Sequence, residues 1–295
     1  MISFAGNRRL MMTQSKISVT DVREAKQQGR KLVMATAYDY PFGLMADQAG
    51  VDIVLVGDSL AMVVLGLKNT VAVTMEDMLH HIKAVARGCK HPLLLGDMPF
   101  MSYNASIRDA IVNAGRMLKE GGCDGVKIEG GLDFIPTIEA IVKAGIPVIG
   151  HVGLTPQTTG AQGGYKLQGE DAKAAMKIIN DAKALEDAGV FAIILEKVPA
   201  SLGKLVAESV EVPIIGIGAG KEVDGQVLVT HDMLGLFDRF IPKFVKQYAQ
   251  LRTQIISALS QYKKEVIDGV FPGPEHSFSM PEENLEELKK LMHTK

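Results

Sequence analysis

The chain has 295 residues, of which 47% are hydrophobic and 22% charged, so it can bury a large core and is not disordered throughout. Its 32 Lys and Arg residues against 34 Asp and Glu give a net charge of -2, which argues against nucleic acid as a partner because phosphates require a clustered basic surface. No apolar stretch approaches the ~20 residues that cross a bilayer, so we expect no contact with a membrane.

Short apolar runs alternate with helical patterns along the chain, as in folds where outer helices cover parallel strands. The predicted strands are residues 31–39, 51–58, 92–97, 125–129, 146–151, 192–196, 212–217 and 228–232. Runs such as VDIVLVG and VPIIGIG are apolar almost throughout, as expected of strands buried on both faces. Eight such units predict an α/β fold, the (β/α)8 TIM barrel, with extra helices at its N- and C-terminal ends.

Helical periodicity fills the segments between the strands. After Thr74, a predicted N-cap, Met78, Ile82 and Val85 repeat on one face. The same spacing recurs at Ile107, Ile111, Ala114 and Leu118 after Ser106, at Ala175, Ile178, Ile179, Ala182 and Leu185, and at Tyr248, Leu251, Ile255 and Leu259. Residues 281–293 predict a last helix, either docked on the outside of the barrel or used in a subunit contact.

Two segments after predicted strands are candidates for the active-site mouth. The longest irregular segment, 154–169, follows the fifth strand, and in a parallel barrel such loops build the catalytic face. The GIGAG segment at 216–220 follows the seventh strand. It does not match G-x-G-x-x-G, so we interpret it as a tight turn beside the substrate and not as a dinucleotide site.

Polar side chains fall at the ends of successive predicted strands. They are Asp58, Ser59, Asp97, Lys127, Glu129, His151 and Glu196. The C-terminal ends of all the strands in a parallel barrel face the same mouth, so these residues are expected to converge on one site. A single acid after a strand is commonly a helix cap, but a set of acids with a lysine favours function because acids are rarely buried unpaired.

Three of these acids form a candidate metal site. Asp58, Asp97 and Glu129 supply oxygen donors without a Cys/His ligand set, which favours Mg²⁺ over Zn²⁺. A cation there would bind the carboxylate and keto oxygens of a 2-oxo acid and stabilise its enolate. Lys127 would add positive charge near the enolate oxygen, unless it serves only as a partner for Glu129.

Two further strand-end residues are candidates for roles in the reaction. Glu196 is the candidate base for the proton α to the carbonyl, unless it pairs with Lys197 or another loop cation. His151 either binds a substrate oxygen or is a satisfied histidine at a strand end, whereas we interpret His231 as structural.

The two cysteines and the N-terminal residues bear on location and domain organisation. Cys89 and Cys123 lie in no metal or redox spacing, so we interpret them as reduced, packed thiols of a cytoplasmic protein. Residues 1–16 are expected to form a flexible N-terminal extension, in which Arg8 and Arg9 give only a faint organelle signal. Residues 17–295 are predicted to form one barrel domain with C-terminal helices.

Eight segments together resemble the ketopantoate hydroxymethyltransferase family. They are ATAYDYPFG, VGDSLAMVVLG, LLLGDMPFMSY, VKIEGG, HVGLTPQ, GGYKLQG, IGIGAG and DGQVLVTHDMLG, in order between residues 17 and 272. The resemblance implies a (β/α)8 barrel of the phosphoenolpyruvate mutase and isocitrate lyase kind. It also implies transfer of a hydroxymethyl group from 5,10-methylenetetrahydrofolate to 3-methyl-2-oxobutanoate, giving 2-dehydropantoate on the route to pantothenate.

The resemblance further implies a role for each strand-end residue, with Mg²⁺ as the cofactor. Asp58 and Asp97 resemble the direct metal ligands, and Glu129 lies close to the metal. The oxo acid is held by Asp58, Ser59, Asp97, Lys127 and His151, and Glu196 is the catalytic base. No residue is assigned to the folate. Family members are homo-oligomers, commonly decamers, and Thr230 departs from the family where an aromatic residue is usual.

Three alternatives are weaker. A Mg²⁺-dependent carbon–carbon lyase or mutase acting on another 2-oxo acid would carry a cysteine on a mouth loop, but Cys89 and Cys123 precede strands. Residues 57–60 match the GDSL pattern of serine hydrolases, but the D-x-x-H segment at 77–80 lies in a helical pattern and far from the C-terminus. A catalytically silent barrel is disfavoured because no acid of the set is lost.

Overall fold

The strands form a closed barrel in the computed structural model, which describes residues 15–160 and 164–293. The strands are β1 (Leu32–Thr36), β2 (Ile53–Val56), β3 (Leu93–Asp97), β4 (Gly125–Glu129), β5 (Val148–Gly153), β6 (Ala192–Glu196), β7 (Ile214–Ile217) and β8 (Gly225–Leu228). Each pairs in parallel with the next, and β8 pairs with β1. The predicted (β/α)8 fold is confirmed.

Helices precede the first strand, follow most of the others and extend the C-terminus. They are α1 (Val19–Gln27), α2 (Tyr40–Ala49), α3 (Leu60–Val63), α4 (Met75–Gly88), α5 (Ile107–Arg116), α6 (Ile135–Lys143), α7 (Ala172–Asp187), α8 (Ala200–Ser209), α9 (Thr230–Met233), α10 (Leu251–Ile267) and α11 (Glu282–Met292). Because α1 comes before β1, and α10 and α11 come after β8, the extra terminal helices are confirmed.

The cap and buried face predicted for α4 are present. Thr74 Oγ1 accepts from the backbone N–H of Asp77, whose carboxylate accepts from the N–H of Thr74, a reciprocal box that fixes the first turn. Met78, Ile82 and Val85 are fully buried between this helix and the sheet. The apolar spacing therefore identified both the start of the helix and the face that it packs.

Below the mouth, the interior of the barrel is filled by apolar side chains. Leu93 and Leu95 of β3 and Ile149 of β5 belong to one buried cluster, as expected of alternate strand positions that point inward. Helix α1 belongs to the same cluster through Val22 and Ala25, both fully buried, so it closes the N-terminal end of the barrel. Within the barrel interior, space for a ligand consequently lies at the C-terminal end.

The predicted position of the eighth strand is wrong. Strand β8 is Gly225–Leu228, whereas the prediction was 228–232, and Thr230–Met233 forms a helical turn. Glycine and glutamine, at positions 225 and 226, are common in loops, so the apolar pattern did not indicate a strand there. Gly225 is required because a Cβ there would lie 2.7 Å from the carbonyl oxygen of Leu32, so that β8 could not approach β1 as closely.

Two smaller expectations are also corrected. Ile107 is 43% exposed and does not contribute to the buried face of α5, which is formed by Ala110 and Ala114. Ile107 is the first residue of the helix, where a side chain has no preceding turn to pack over. Between β7 and β8 the chain passes through 218–224 without a helix, so the alternation of strand and helix is broken there.

The described residues form two compact units. The first runs to Met233 and includes Phe237–Lys246, and it contains the barrel; the second comprises Leu234–Leu236 and the chain from Gln247 onward. Within the second unit, α10 and α11 contain no buried residue. A single domain over 17–295 remains a prediction, and the expected flexible extension lies, up to residue 14, outside the described residues. Among the helices described, none has both the length and the apolar character needed to cross a membrane.

Candidate active site

The polar residues of the site lie at or just after the C-terminal ends of the strands. Asp97 follows Leu95 by two residues, and His151 follows Ile149 in the same way, so each lies directly above the apolar interior. One cavity at this end of the barrel is lined by every residue that the sequence singled out: Asp58, Ser59, Asp97, Lys127, Glu129, His151 and Glu196. The predicted convergence of the strand ends is therefore observed.

Lys127 lies at the centre of a buried ion cluster. Its Nζ donates to both carboxylate oxygens of Asp97, at 2.7 and 2.9 Å, and to Oε1 of Glu129 at 3.0 Å. Asp97 Oδ2 also accepts from the backbone N–H of Asp58 at 3.0 Å. The Lys127, Asp97 and Glu129 side chains are only 5%, 2% and 1% exposed, so their charges interact at low local dielectric.

The cluster contains more carboxyl groups than cationic side chains, and the pKa values reflect this. Burial raises the pKa of Asp58 well above its ordinary value, and the charge of Asp97 adds to the effect. Burial acts in the same direction on Glu129, but Lys127 and His151 outweigh it and lower the pKa of Glu129 to about 2. A cation that entered beside Asp58 and Asp97 would relieve the excess negative charge.

Gln157 connects the acids across the mouth. Its side-chain N–H groups donate to Asp58 Oδ2 at 3.0 Å and to the carbonyl of Met98 at 2.9 Å. Its backbone N–H donates to Glu129 Oε2 at 3.0 Å, and its side-chain oxygen accepts from the Tyr103 hydroxyl at 2.8 Å. Gln157 is buried, so this network fixes the orientation of Asp58 and Glu129 without solvent.

The hydroxyl of Ser59 lies 2.8 Å from the hydroxyl of Tyr38, which is buried beneath it. In a serine hydrolase this serine would need a histidine base. The D-x-x-H segment that suggested such a base is part of α4, and its Asp77 caps that helix. Ser59 is thus placed to contact a bound ligand, and the hydrolase alternative gains no support.

His151 lies between two carboxylates. Nδ1 is 3.3 Å from Glu129 Oε1, and Nε2 is 3.3 Å from Glu196 Oε2. Within the described residues neither ring nitrogen has a well-aligned hydrogen bond, so these contacts are mainly ionic. Burial and Lys127 act to lower the pKa of His151, but the two glutamates outweigh them and raise it to about 9. A protonated His151 therefore forms an ionic bridge between Glu196 and Glu129.

Glu196 is the most accessible carboxylate of the set. Its side chain is 14% exposed and lines the cavity, whereas that of Glu129 is 1% exposed. The alternative that it pairs with Lys197 is not supported, because Lys197 Nζ donates to the carbonyl of Tyr165. Lys197 has a φ of 53°, a left-handed conformation that non-glycine residues rarely adopt and that marks the turn after Glu196 as constrained.

The backbone of Glu196 packs directly on Gly153 at the end of β5. Gly153 has a φ of 91°, and a Cβ at this position would lie 2.3 Å from the carbonyl oxygen of Glu196. The next residue, Leu154, donates its N–H to the same carbonyl at 2.9 Å. The position of the candidate base therefore depends on a residue without a side chain in the neighbouring strand.

The two aspartates fit Mg²⁺, although the site is not a complete protein cage. No group of three or more His, Cys, Asp and Glu side chains in residues 15–160 and 164–293 is arranged to hold a metal by itself. Mg²⁺ commonly uses one or two carboxylates and takes its remaining ligands from water and substrate. Asp58 and Asp97, both buried at the cavity wall, meet that requirement. Glu129 accepts from Lys127 Nζ and from the backbone N–H of Gln157, and it lies beside these two aspartates through the shared Lys127.

The cysteines lie away from the cavity. Cys89 precedes β3 and Cys123 precedes β4, and both are buried. Burial raises the pKa of each thiol to about 12, which makes both poor nucleophiles. The prediction that they are packed thiols is consistent with this environment.

Three residues of the site were not identified from the sequence: Tyr38, Tyr103 and Gln157. All three lie in segments that carried the family resemblance, but their spacing in the sequence did not indicate that they contact the strand-end acids or Ser59. Gln157 meets Asp58 across 99 positions and Tyr103 across 54. By contrast, Thr230 is engaged outside the ligand space, donating its N–H to Thr36 Oγ1 at 3.0 Å and so joining the ends of β8 and β1.

Comparison with known proteins places the chain among transferases. The profile of a family described as ketopantoate hydroxymethyltransferase matches residues 16–274. The chain is 55% identical to the 3-methyl-2-oxobutanoate hydroxymethyltransferase of Carboxydothermus hydrogenoformans, over 92% of this chain and 99% of that protein. It is 56% identical to the enzyme of the same name from Heliobacterium modesticaldum, over 91% and 97% of the two chains.

Solved structures with the same fold have much lower identity. Phosphonopyruvate hydrolase matches with a TM-score of 0.59 at 14% identity, over 94% of this chain and 96% of that chain. A 2,3-dimethylmalate lyase of the PEP mutase/isocitrate lyase superfamily matches with a TM-score of 0.56 at 16% identity, over 94% and 95%. At this identity the two structures support the fold alone.

Proposed function

The chain belongs to the ketopantoate hydroxymethyltransferase family, and from that membership we propose that it transfers a hydroxymethyl group from 5,10-methylenetetrahydrofolate to 3-methyl-2-oxobutanoate. The product is 2-dehydropantoate, in pantothenate biosynthesis. The observation that supports this chemistry best is the cavity in which Asp58, Asp97 and Lys127 face one more accessible carboxylate, Glu196. The side with the two aspartates and the lysine suits an anionic oxo acid bound together with a cation. The side with Glu196 suits removal of a proton. A lyase or mutase is not favoured, because the relatives that share more than half of the sequence are transferases by name.

The oxo acid is proposed to bind beside Lys127. Mg²⁺ held by Asp58 and Asp97 would supply a Lewis acid that withdraws electron density from the keto oxygen and so acidifies the hydrogen on C3. The Lys127 ammonium, held in place by Asp97 and Glu129, provides a fixed positive charge where the keto oxygen becomes negative. The hydroxyl of Ser59 is free to turn from Tyr38 toward the substrate carboxylate.

Glu196 is proposed to remove the C3 proton. Its carboxylate lines the cavity and lies 3.3 Å from Nε2 of His151, which orients it. The C3–H bond breaks, the proton goes to Glu196, and the electron pair is delocalised onto the keto oxygen. C3 then forms a bond to the one-carbon unit that the folate supplies. Both C–N bonds of the methylene group break, water supplies the hydroxyl oxygen and returns its two hydrogens to the nitrogens of tetrahydrofolate, and the proton held by Glu196 completes the new hydroxyl.

The wild-type enzyme provides the test of this function. Purified protein is incubated with 3-methyl-2-oxobutanoate in D₂O, with Mg²⁺ or with EDTA, and loss of the C3 proton is followed by NMR. We expect exchange with Mg²⁺ and none with EDTA, and formation of 2-dehydropantoate when 5,10-methylenetetrahydrofolate is added. Absence of both exchange and product from the metal-loaded enzyme would show that the proposed function is wrong.

Gln157→Leu is expected to weaken Mg²⁺ binding about 10- to 100-fold, because outer partners that orient metal ligands typically contribute that much. The leucine removes the hydrogen bond to Asp58 and leaves the Tyr103 hydroxyl with one fewer acceptor. Calorimetric titration with Mg²⁺ measures the effect directly. Gln168→Leu, a change of the same kind at a partly exposed position of the same loop, is the control and should bind Mg²⁺ as the wild type does.

Gly153→Ala is expected to reduce C3 exchange about 100-fold, since a displacement of the base by about 1 Å has effects of that size. The new methyl group would lie 2.3 Å from the Glu196 carbonyl oxygen and must move that residue. Gly145→Ala is the matched control: its φ of 85° imposes the same strain, but a Cβ there meets nothing within 4 Å. Equal exchange rates in the two variants would show that the contact with Gly153 does not position Glu196.

Assembly into a homo-oligomer, a decamer by family resemblance, is also proposed. The second unit supports it, because α10 and α11 expose apolar side chains along their length, including Leu259, Ile267 and Leu291 at 61%, 72% and 66%. Exposed apolar surface on this scale is typical of subunit interfaces. A cytoplasmic location is proposed on the grounds of the reduced, buried cysteines and the metabolic role.

A further inference from the structure

Glu196, the proposed base, lies where solvent reaches it. Its side chain is 14% exposed, whereas the side chains of Asp97 and Glu129 are 2% and 1% exposed. A carbanion at C3 has two fates, because it either attacks the one-carbon unit or takes back a proton. Water that exchanges with the protonated base favours the second fate, and an active site that excludes water prevents it. The residues that cover Glu196 therefore influence which product forms.

Residues 164–168 are tied to the turn that follows Glu196. The Lys197 ammonium donates to the carbonyl oxygen of Tyr165, and the backbone N–H of Gln168 donates to the carbonyl oxygen of Lys197 at 3.0 Å. Both hydrogen bonds involve the residue directly after Glu196. This part of the loop is therefore held beside the base by a side chain and by the backbone.

The end of the same loop is fixed by close packing. Gly169 has a φ of 73°, and a Cβ there would lie 2.4 Å from Cδ2 of Leu202 and 3.0 Å from Cδ1 of Ile178. Leu202 belongs to α8, the helix that follows β6, and Glu196 is the last residue of β6. The loop is therefore anchored on the same strand–helix unit that carries the base.

The side chain of Tyr165 lies at the boundary between the cavity and solvent. It lines the cavity together with Glu196, and it is 47% exposed, so one part of it faces the ligand space and another faces water. Burial raises the pKa of the Tyr165 hydroxyl, and the charges of Asp58 and Glu196 act in the same direction. Asp58 follows β2, the strand opposite β6 in the closed barrel, so the Tyr165 side chain extends over the mouth.

The cavity is small enough for a residue of its wall to lie close to a bound oxo acid. Its volume is about 290 Å³, at the lower end of the ~300–1,000 Å³ that is usual for small-molecule pockets. A short branched oxo acid bound at Asp58, Asp97 and Lys127 would fill much of this space. The ring of Tyr165 would then separate C3 and Glu196 from bulk solvent.

We propose that the ring of Tyr165 shields Glu196 and the C3 carbanion from water, and so favours carbon–carbon bond formation over return of a solvent proton. The inference rests on the proposed function, in which C3 loses a proton. When the C3–H bond breaks, the proton moves to Glu196. It exchanges with a solvent proton there before returning to C3, unless the carbanion first attacks the one-carbon unit. Lys197 is a positioning residue, since it holds the backbone of Tyr165.

The competing interpretation is that Tyr165 only packs at the rim. The experiment measures the partition of the carbanion in D₂O with Mg²⁺, 3-methyl-2-oxobutanoate and 5,10-methylenetetrahydrofolate all present. NMR gives the initial rates of formation of C3-deuterated oxo acid and of 2-dehydropantoate, and their ratio is compared between proteins. The proteins are the wild type, Tyr165→Phe, Tyr165→Ala, Lys197→Met and the control Tyr40→Ala. Tyr40 is 46% exposed at the start of α2 and lies outside the cavity lining. Calorimetric titration with Mg²⁺ tests whether each site is intact.

The ratio of deuterated oxo acid to product should rise at least tenfold in Tyr165→Ala, because water then reaches the base. Tyr165→Phe keeps the ring and should stay within about threefold of the wild type. Lys197→Met keeps the ring but not its anchor, so the ratio should rise about threefold or more, and by less than in Tyr165→Ala. Mg²⁺ affinity should change by less than about threefold in every variant, and Tyr40→Ala should match the wild type throughout.

Three results would overturn the inference. The first is an unchanged ratio in Tyr165→Ala. The second is a ratio in Tyr165→Phe as high as in Tyr165→Ala, which would assign the effect to the hydroxyl and not to the ring. The third is a rise in the ratio accompanied by a tenfold loss of Mg²⁺ affinity, which would indicate general damage to the site. A wild type that neither exchanges the C3 proton nor forms product would instead reject the proposed function itself.

Discussion

Glu196→Gln is expected to lower the rate of C3 proton exchange about 1,000-fold, within the range of ~10²–10⁴ that a positioned base contributes. The amide has nearly the shape of the carboxylate but cannot accept a proton at neutral pH. Glu196 lines the cavity and lies 3.3 Å from His151, so the substitution should leave the cavity wall in place. NMR in D₂O measures the rate, with Mg²⁺ and substrate held at saturation.

Binding measurements separate this effect from misfolding. Because Asp58 and Asp97 are untouched, Glu196→Gln should bind Mg²⁺ within about threefold of the wild type, a difference of less than 1 kcal/mol. Glu208→Gln, at an exposed position of α8, is the matched control and should exchange normally. Exchange in Glu196→Gln at more than a tenth of the wild-type rate would show that another group removes the proton.

The fold was predictable because its main determinants are local. Strands β4 and β6 are short, largely apolar segments that end in a glutamate, and their bounds were predicted without error. β8 was misplaced because its signal is not local. Gly225 belongs to a strand only because the carbonyl of Leu32 on β1 lies where a Cβ would be, and that contact joins residues almost 200 positions apart. Closure of a barrel is a property of its first and last strands together, and no window of sequence contains both.

The site was predictable to the extent that it follows from barrel topology. Parallel strand ends must share one mouth, so Asp97, Lys127 and Glu196 could be assigned to one site from their positions alone. Their pairing could not be predicted, because side-chain geometry decides whether the Lys127 ammonium bonds Asp97, Glu129 or both. In the structure it bonds both carboxylates. Gln157 and Tyr103 lie in loops, where no periodicity indicates the direction of a side chain.

Asp97→Asn should abolish the Mg²⁺-dependent part of C3 exchange and weaken Mg²⁺ binding at least 100-fold, about 2.7 kcal/mol or more. Asp97 is a proposed metal ligand and also accepts two hydrogen bonds from Lys127, at 2.7 and 2.9 Å. An amide has half the accepting capacity and turns a donor toward the ammonium. Since the pair is buried, we also expect a loss of about 3 kcal/mol in the free energy of unfolding.

The stability loss requires its own control, because an unstable enzyme also fails to exchange. Asp52→Asn serves this purpose: Asp52 lies just before β2, at the opposite end of the barrel, accepts from the N–H of Val33 at 2.8 Å and pairs with Arg30 at 2.6 Å. It should lower the melting temperature and leave Mg²⁺ affinity unchanged. Whereas Glu196→Gln should lose exchange and retain the metal, Asp97→Asn should lose both. Wild-type Mg²⁺ affinity in Asp97→Asn would show that Asp97 only holds Lys127, and the metal would then have to bind through Asp58 and the substrate.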